Sequence, residues 1–178
     1  MGVLFLIGPR GSGKTLAANL LGSAYACPTC DTDQLVVEAA GKSIAAIVAG
    51  EGWPGFRARE KAALVAAFER MAVHPHSVVA TGGGIVLDPE NRAFMRRSGR
   101  VAYLEAPVEV LLERLTKARC DAFRPALSSL SFSDEMRAVL AERGPLYRET
   151  AHQGVDATLE PEVLARALHE ILTREEQP

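Results

Sequence analysis

The chain predicts an α/β fold: a parallel sheet of about five strands with helices on both faces. Three observations carry that prediction. Short apolar runs of strand length alternate with longer stretches of helical periodicity. The runs end in glycine or aspartate clusters, the punctuation of loops at a sheet edge. No apolar run approaches the ~20 residues that span a bilayer. The 178 residues suit one compact domain, 1–178, without repeat or linker.

The elements follow in order. Val3 to Ile7 is an apolar run closed by Gly8, as in a strand buried on both faces. Without a basic leader or cleavage site, it reads as a first strand and not a signal peptide. Thr15 to Ala24 has helical spacing, and Tyr25 to Cys30 reads as a second strand ending at Asp31. Pro54 belongs in the first turn of a long helix, roughly Phe56 to Met71. Ser77 to Thr81 is a buried strand running into Gly82, Gly83 and Gly84. Arg100 to Leu104 is the fourth strand, and Pro107 opens a helix through about Ala118. Residues 119–131 are small, polar and broken by Pro125, hence a loop. A helix from Ser133 to Thr150 is expected to be interrupted at Gly144-Pro145. Val155 to Leu159 reads as the last strand, and Pro161 starts the final helix. Ligands of such sheets bind beyond the carboxyl ends of the strands. Those ends carry Gly8 to Lys14, Asp31 to Asp33 and Gly82 to Gly84.

Composition narrows the function. A formal net charge of -2 and no basic stripe argue against nucleic acid or an anionic membrane as partner. Basic residues are expected to act one at a time. Three cysteines do not build a disulfide framework, which suits a reducing cytoplasm. Cys27-Pro-Thr-Cys30 lacks the second pair or the histidines of a zinc site. It reads as packing. His74 and His76 read as solvated loop residues, and Arg96-Arg97 as complementing the dipole of their own helix.

Gly8-Pro9-Arg10-Gly11-Ser12-Gly13-Lys14-Thr15 fits G-x-x-x-x-G-K-[ST] between a strand and a helix, the phosphate loop of P-loop NTPases. Its backbone N–H groups and the helix N-terminus suit phosphate oxygens. Lys14 is expected on the β- and γ-phosphates and Thr15 on Mg²⁺. The chain has no Asn-Lys-x-Asp guanine-reading motif and no aspartate closing the central strand. Asp31 is therefore the natural second support for the metal.

Asp31-Thr32-Asp33 places two carboxylates at i and i+2, which an extended backbone would turn to one side. Asp33 would orient an acceptor hydroxyl, and capping of the next helix is the competing reading. Arg57 and Glu60 share a helix face, so a glutamate-held guanidinium could meet a substrate carboxylate. Three glycines after a strand suggest a close approach by ligand or backbone.

The ordered set Gly8 to Thr15, Asp31-Thr-Asp33, Phe56-Arg57-x-x-Glu60, Gly82 to Gly84, Arg124-Pro125 and Arg143-Gly-Pro-Leu-Tyr147 strongly resembles shikimate kinase. Leu4 to Arg10, Glu51 to Arg57, Ala80 to Gly84 and Asn91 to Met95 look like its type II members. The resemblance covers nearly the whole chain. It implies a fold like that of the nucleoside monophosphate kinases, with a substrate-binding helical region at about 33–61 and a lid at about 119–131. By resemblance, Asp33, Arg57, Gly83 and Arg143 hold shikimate, flanked by Gly82, Gly84 and Glu60, with Trp53 and Phe56 on the apolar side. Arg114 stacks on adenine opposite the segment around Pro161, Asp31 supports Mg²⁺, and Arg124 meets the transferring phosphoryl. Lys14, Asp33 and Arg124 would be catalytic. The implied reaction phosphorylates shikimate with ATP in aromatic amino-acid synthesis, in a cytoplasmic monomer. The lid departs from the family at Ala126, where its members often have a bulkier residue or Thr. Another hydroxy acid such as gluconate or homoserine is the alternative acceptor. A nucleotide-gated binding module is the alternative class, disfavoured because a switch needs no acceptor base.

Overall fold

The computed structural model describes residues 2–117 and 131–174. Five strands, β1 (Gly2–Ile7), β2 (Thr29–Asp31), β3 (His76–Ala80), β4 (Arg100–Glu105) and β5 (Gln153–Asp156), form one sheet in the order β2-β3-β1-β4-β5. Every pairing is parallel. The helices are α1 (Lys14–Tyr25), α2 (Thr32–Ala40), α3 (Ile44–Met71), α4 (Pro89–Ser98), α5 (Val108–Lys117), α6 (Phe132–Thr150) and α7 (Pro161–Thr173).

The period-2 pleat divides the central strands between two cores. Leu4, Leu6, Val78, Ala80, Ala102 and Leu104 face α1 and α7. Val3, Phe5, Ile7, Val79, Val101 and Tyr103 face α3, α4 and α6. The central side chains Leu4, Phe5, Leu6 and Ile7 are fully buried. Each contributes roughly 1.5–3 kcal/mol of transfer free energy. This rigid sheet presents its loops at one edge.

Several boundaries differ from expectation. Helix α1 ends at Tyr25, where Ala26 turns to φ 51°, and β2 starts only at Thr29; the Tyr25 ring stacks on His169 of α7, 3.9 Å between centroids. Helix α2, unassigned from sequence, is capped by Asp31. Helix α3 begins at Ile44 and breaks at Gly52, which leaves Pro54 in the first turn of its second arm. Strand β5 stops at Asp156, whose carboxylate accepts from both the N–H and hydroxyl of Thr158. Helix α6 runs unbroken through Gly144-Pro145. Pro145 still forfeits one backbone hydrogen bond, but Gly144 before it has no Cβ to meet the proline ring. Arg96 caps a different helix from its own, donating to the carbonyls of Glu149, Thr150 and Ala151 at the end of α6.

Candidate active site

The loop from Gly8 to Thr15 closes on itself between β1 and α1. The Pro9 carbonyl accepts from Ser12 N at 3.3 Å and from Ser12 Oγ at 2.9 Å. Gly13, at φ 89°, caps α1 without a side-chain hydrogen bond. The first-turn N–H groups thus suit an anion. Lys14 Nζ donates to the carbonyls of Gly8 and Pro9, both at 2.8 Å, which holds the buried ammonium inside the loop. A cleft of about 640 Å³ opens over Arg10, Gly11, Thr15 and Leu16. Arg114, Leu159 and Pro161 line its far side. The Arg114 guanidinium donates to the Ala157 carbonyl at 2.8 Å, tying α5 to the turn before α7.

The two aspartates are not displayed by an extended strand. Asp31 ends β2 and Asp33 already lies in the first turn of α2. Asp31 divides its oxygens: Oδ1 accepts from Asp33 N and Gln34 N at 2.9 and 3.4 Å, and Oδ2 accepts from the Thr15 hydroxyl at 2.8 Å. It is a helix cap and a partner of Thr15 at once. Thr15 Oγ1 and Asp31 Oδ2 are adjacent hard oxygens, the donors Mg²⁺ takes beside phosphate and water. The pair fits that ion. Among the described residues no group of three His, Cys, Asp or Glu could hold a metal.

A second depression adjoins the first, and Arg10, Asp33 and Gly83 line both. Its wall is Trp53, Phe56, Arg57, Glu60, Gly82, Gly84 and Arg143. Arg57 pairs with Glu60, and its guanidinium carbon lies 5.4 Å from the Trp53 ring centre and 5.3 Å from that of Phe56. The two rings meet edge to face at 5.8 Å. Glu60 is 1% exposed, and its Oε1 has no hydrogen-bond partner among the described residues. Burial pushes the Glu60 carboxyl above the usual range, opposed by Arg57 and Arg143.

The glycine run is explained by space. None of Gly82, Gly83 or Gly84 has a positive φ. A Cβ on Gly82 would lie 2.6 Å from Glu60 Oε1 and 2.8 Å from Asp33 Oδ1. One on Gly84 would collide with the Arg57 guanidinium. Gly83 packs against the phosphate loop, 3.4 Å from the Gly8 carbonyl by the same measure. The Gly82 N–H donates to buried Thr32 Oγ1 at 3.0 Å. The Gly83 carbonyl accepts from the Tyr147 hydroxyl at 2.5 Å and, at 3.5 Å, from Arg143. Sequence reasoning assigned no role to Thr32 or Tyr147. Tyr147 lies four residues after Arg143, hence on the same helix face. It is fully buried and stacked on Tyr103 at 5.0 Å.

The structure thus brings together Lys14, Thr15, Asp31, Asp33, Arg57, Glu60, Gly82, Gly83, Gly84 and Arg143. Arg124, Pro125, Ala126 and the expected lid lie outside the described residues, except Ser131, which caps α6. Cys27 belongs to the core on one face of the sheet, while Cys30 packs against the other. Burial raises both thiols. They pack and do not form a centre.

A family model described as shikimate kinase matches residues 10–173. The chain is 50% identical over 158 residues to shikimate kinase 2 of Escherichia fergusonii, covering 89% of this chain and 84% of that one. It is 45% identical over 172 residues to shikimate kinase 2 of Yersinia enterocolitica, covering 97% and 96%. The structure of shikimate kinase from Acinetobacter baumannii in complex with shikimate superposes with a TM-score of 0.84 at 33% identity, covering 97% of this chain and 91% of that one. The chain belongs to the shikimate kinase family and is thereby an ATP-dependent phosphotransferase.

Proposed function

We propose that the chain transfers the γ-phosphoryl of MgATP to the 3-hydroxyl of shikimate, giving ADP and shikimate 3-phosphate. The observation that carries this reading is the junction of the two depressions at Asp33. A loop of phosphate-binding form meets there a pocket lined by two arginines, Arg57 and Arg143. The guanidinium forks suit a planar carboxylate, which leaves the acceptor's ring hydroxyl near Asp33.

Asp33 accepts the hydrogen bond of the attacking hydroxyl and orients a lone pair toward the γ-phosphorus. The bond to the β-bridging oxygen breaks as the bond to the acceptor oxygen forms, and the proton leaves late toward Asp33. Lys14 stabilises charge on the β- and γ-phosphates. Thr15 and Asp31 would hold Mg²⁺, which neutralises phosphate charge when bound. Arg114 and Pro161 enclose the adenine. Arg124 is assigned to the transferring phosphoryl on the family resemblance. The reading also includes a monomer in the cytoplasm.

The test is coupled ADP release with shikimate, quinate, gluconate and homoserine, with and without Mg²⁺. Shikimate should be fastest and require the metal. A tenfold higher kcat/KM for another acceptor, about 1.4 kcal/mol of transition-state preference, would overturn the acceptor and leave the kinase class intact.

A further inference from the structure

Helix α3 keeps helical angles from Ile44 to Met71 except at Gly52, where φ is 70° and ψ is 178°. One arm ends at Glu51 and the other opens with Trp53-Pro54. Across the break, Arg59 meets the Glu51 carboxylate fork to fork, Nε to Oε2 at 2.9 Å and Nη2 to Oε1 at 3.0 Å. Along an unbroken helix, partners at this spacing would stand about 12 Å apart on the axis. The turn at Gly52 brings them together. Gly55 completes the arrangement: a Cβ there would lie 2.6 Å from Glu51 Cβ and 3.2 Å from its Oε2. The missing side chain is the lane along which the carboxylate reaches Arg59. Arg57 and Arg59 point about 200° apart around the second arm. The ion pair therefore braces one flank of the break while Trp53, Phe56 and Arg57 face the acceptor pocket on the other.

We infer that Glu51 and Arg59 are positioning residues whose ion pair fixes the angle of α3 at Gly52 and so places Trp53 against Arg57 in the acceptor pocket. The inference rests on the acceptor reading above. Both partners are partly exposed, at 34% and 39% of their side chains, so their effect on global stability is small. Their effect on geometry is larger, because glycine alone sets no angle: its φ and ψ are free on both sides of zero. The bidentate contact removes that freedom. Trp53 is the single tryptophan of the chain, so its fluorescence reports the pocket directly.

The full chain is compared with Glu51→Ala, Arg59→Ala, the double variant and Arg59→Lys. Each alanine variant should raise the KM for shikimate by roughly three- to tenfold, with kcat and the KM for ATP within about twofold. Iodide quenching of Trp53, measured without substrate, should rise in the same variants. The double variant should match the worse single one, because one interaction is lost in all three. Arg59→Lys keeps the charge without the fork and should fall between. A merely structural pair would lower the melting temperature and move neither readout. Unchanged KM with unchanged quenching, a change in only one of them, or a double variant equal to the product of the singles overturns the inference. If the unaltered chain releases no ADP with shikimate, the acceptor reading fails alone. Quenching and its non-additivity then decide the brace.

Discussion

The phosphate loop and the acceptor pocket solve similar problems with different materials. The loop grips with backbone: eight consecutive residues, Gly8 to Thr15, supply N–H groups, a helix end, one ammonium and one hydroxyl. The pocket grips with side chains from α2, α3, α6 and the segment after β3, more than 100 residues apart in sequence. The loop's N–H donors tolerate side-chain change at positions other than Lys14 and Thr15 but not loss of their conformation. A side-chain site depends on the packing that holds each group in place.

Lys14→Ala tests the loop and should have the largest effect, lowering kcat/KM by ~10³-fold or more through lost stabilisation of phosphate charge. Steady-state assays and nucleotide titration read it. A comparable rise in the KM for shikimate would erase the distinction between the two regions. Asp33→Asn, at their junction, should lower kcat by ~10²-fold while leaving the KM for ATP within severalfold. Full activity in that variant removes Asp33 from the chemistry.

Gly84→Ala tests crowding in the pocket alone. The new methyl displaces the Arg57 guanidinium, so the KM for shikimate should rise about tenfold with a smaller change in kcat. Nucleotide affinity that falls equally would mean the two regions are not separable. A pH titration sharpens the same point. Glu60 must be ionised to pair with Arg57, and burial raises its pKa. The KM for shikimate should therefore begin to rise on acidification at a pH above the ordinary glutamate value of about 4.3. Glu60→Gln should abolish that inflection, and a profile unchanged by the substitution excludes Glu60 as its source. Tyr147→Phe should have the smallest effect, about 1 kcal/mol of stability for one hydrogen bond to the Gly83 carbonyl. Chemical denaturation measures it, together with at most a few-fold change in the KM for shikimate.

This contrast also explains what the sequence made legible. The loop was readable because its determinants are contiguous and their backbone conformation is written in glycines. Arg57 and Glu60 were readable as neighbours because one helix turn joins them. Tyr147 and Thr32 carried no such signal: each matters through a partner 64 or 50 positions away. The double duty of Asp31 appeared as two competing readings, cap or metal support, because sequence cannot show a carboxylate using both oxygens. The continuity of α6 was not readable, because the rule for proline is local whereas α6 is also held by the buried Met136, Tyr147 and Thr150. The central strands of the sheet were legible, since buried parallel strands are apolar on both faces, as Val3 to Ile7 and Val78 to Ala80 are. Its edges were not. The start of β2 is set by the turn at Ala26 and by Pro28, and the end of β5 by a local aspartate turn.

Asp31 has one consequence beyond anchoring. Its Oδ2 accepts from the hydroxyl of Thr15, which lines the larger cleft, and its Oδ1 accepts from the N–H of Asp33, which lines both depressions. A single carboxylate thus links Thr15 to the first turn of α2 over one residue's width. If nucleotide binding moves Thr15 and that shift reaches the first turn of α2 through Asp31, the two sites are coupled. Thermodynamic linkage makes such a connection symmetric: the factor by which one substrate alters the affinity of the other is the same in both directions. Under the proposed reading, any coupling through Asp31 would therefore be equal in both directions, whichever substrate binds first.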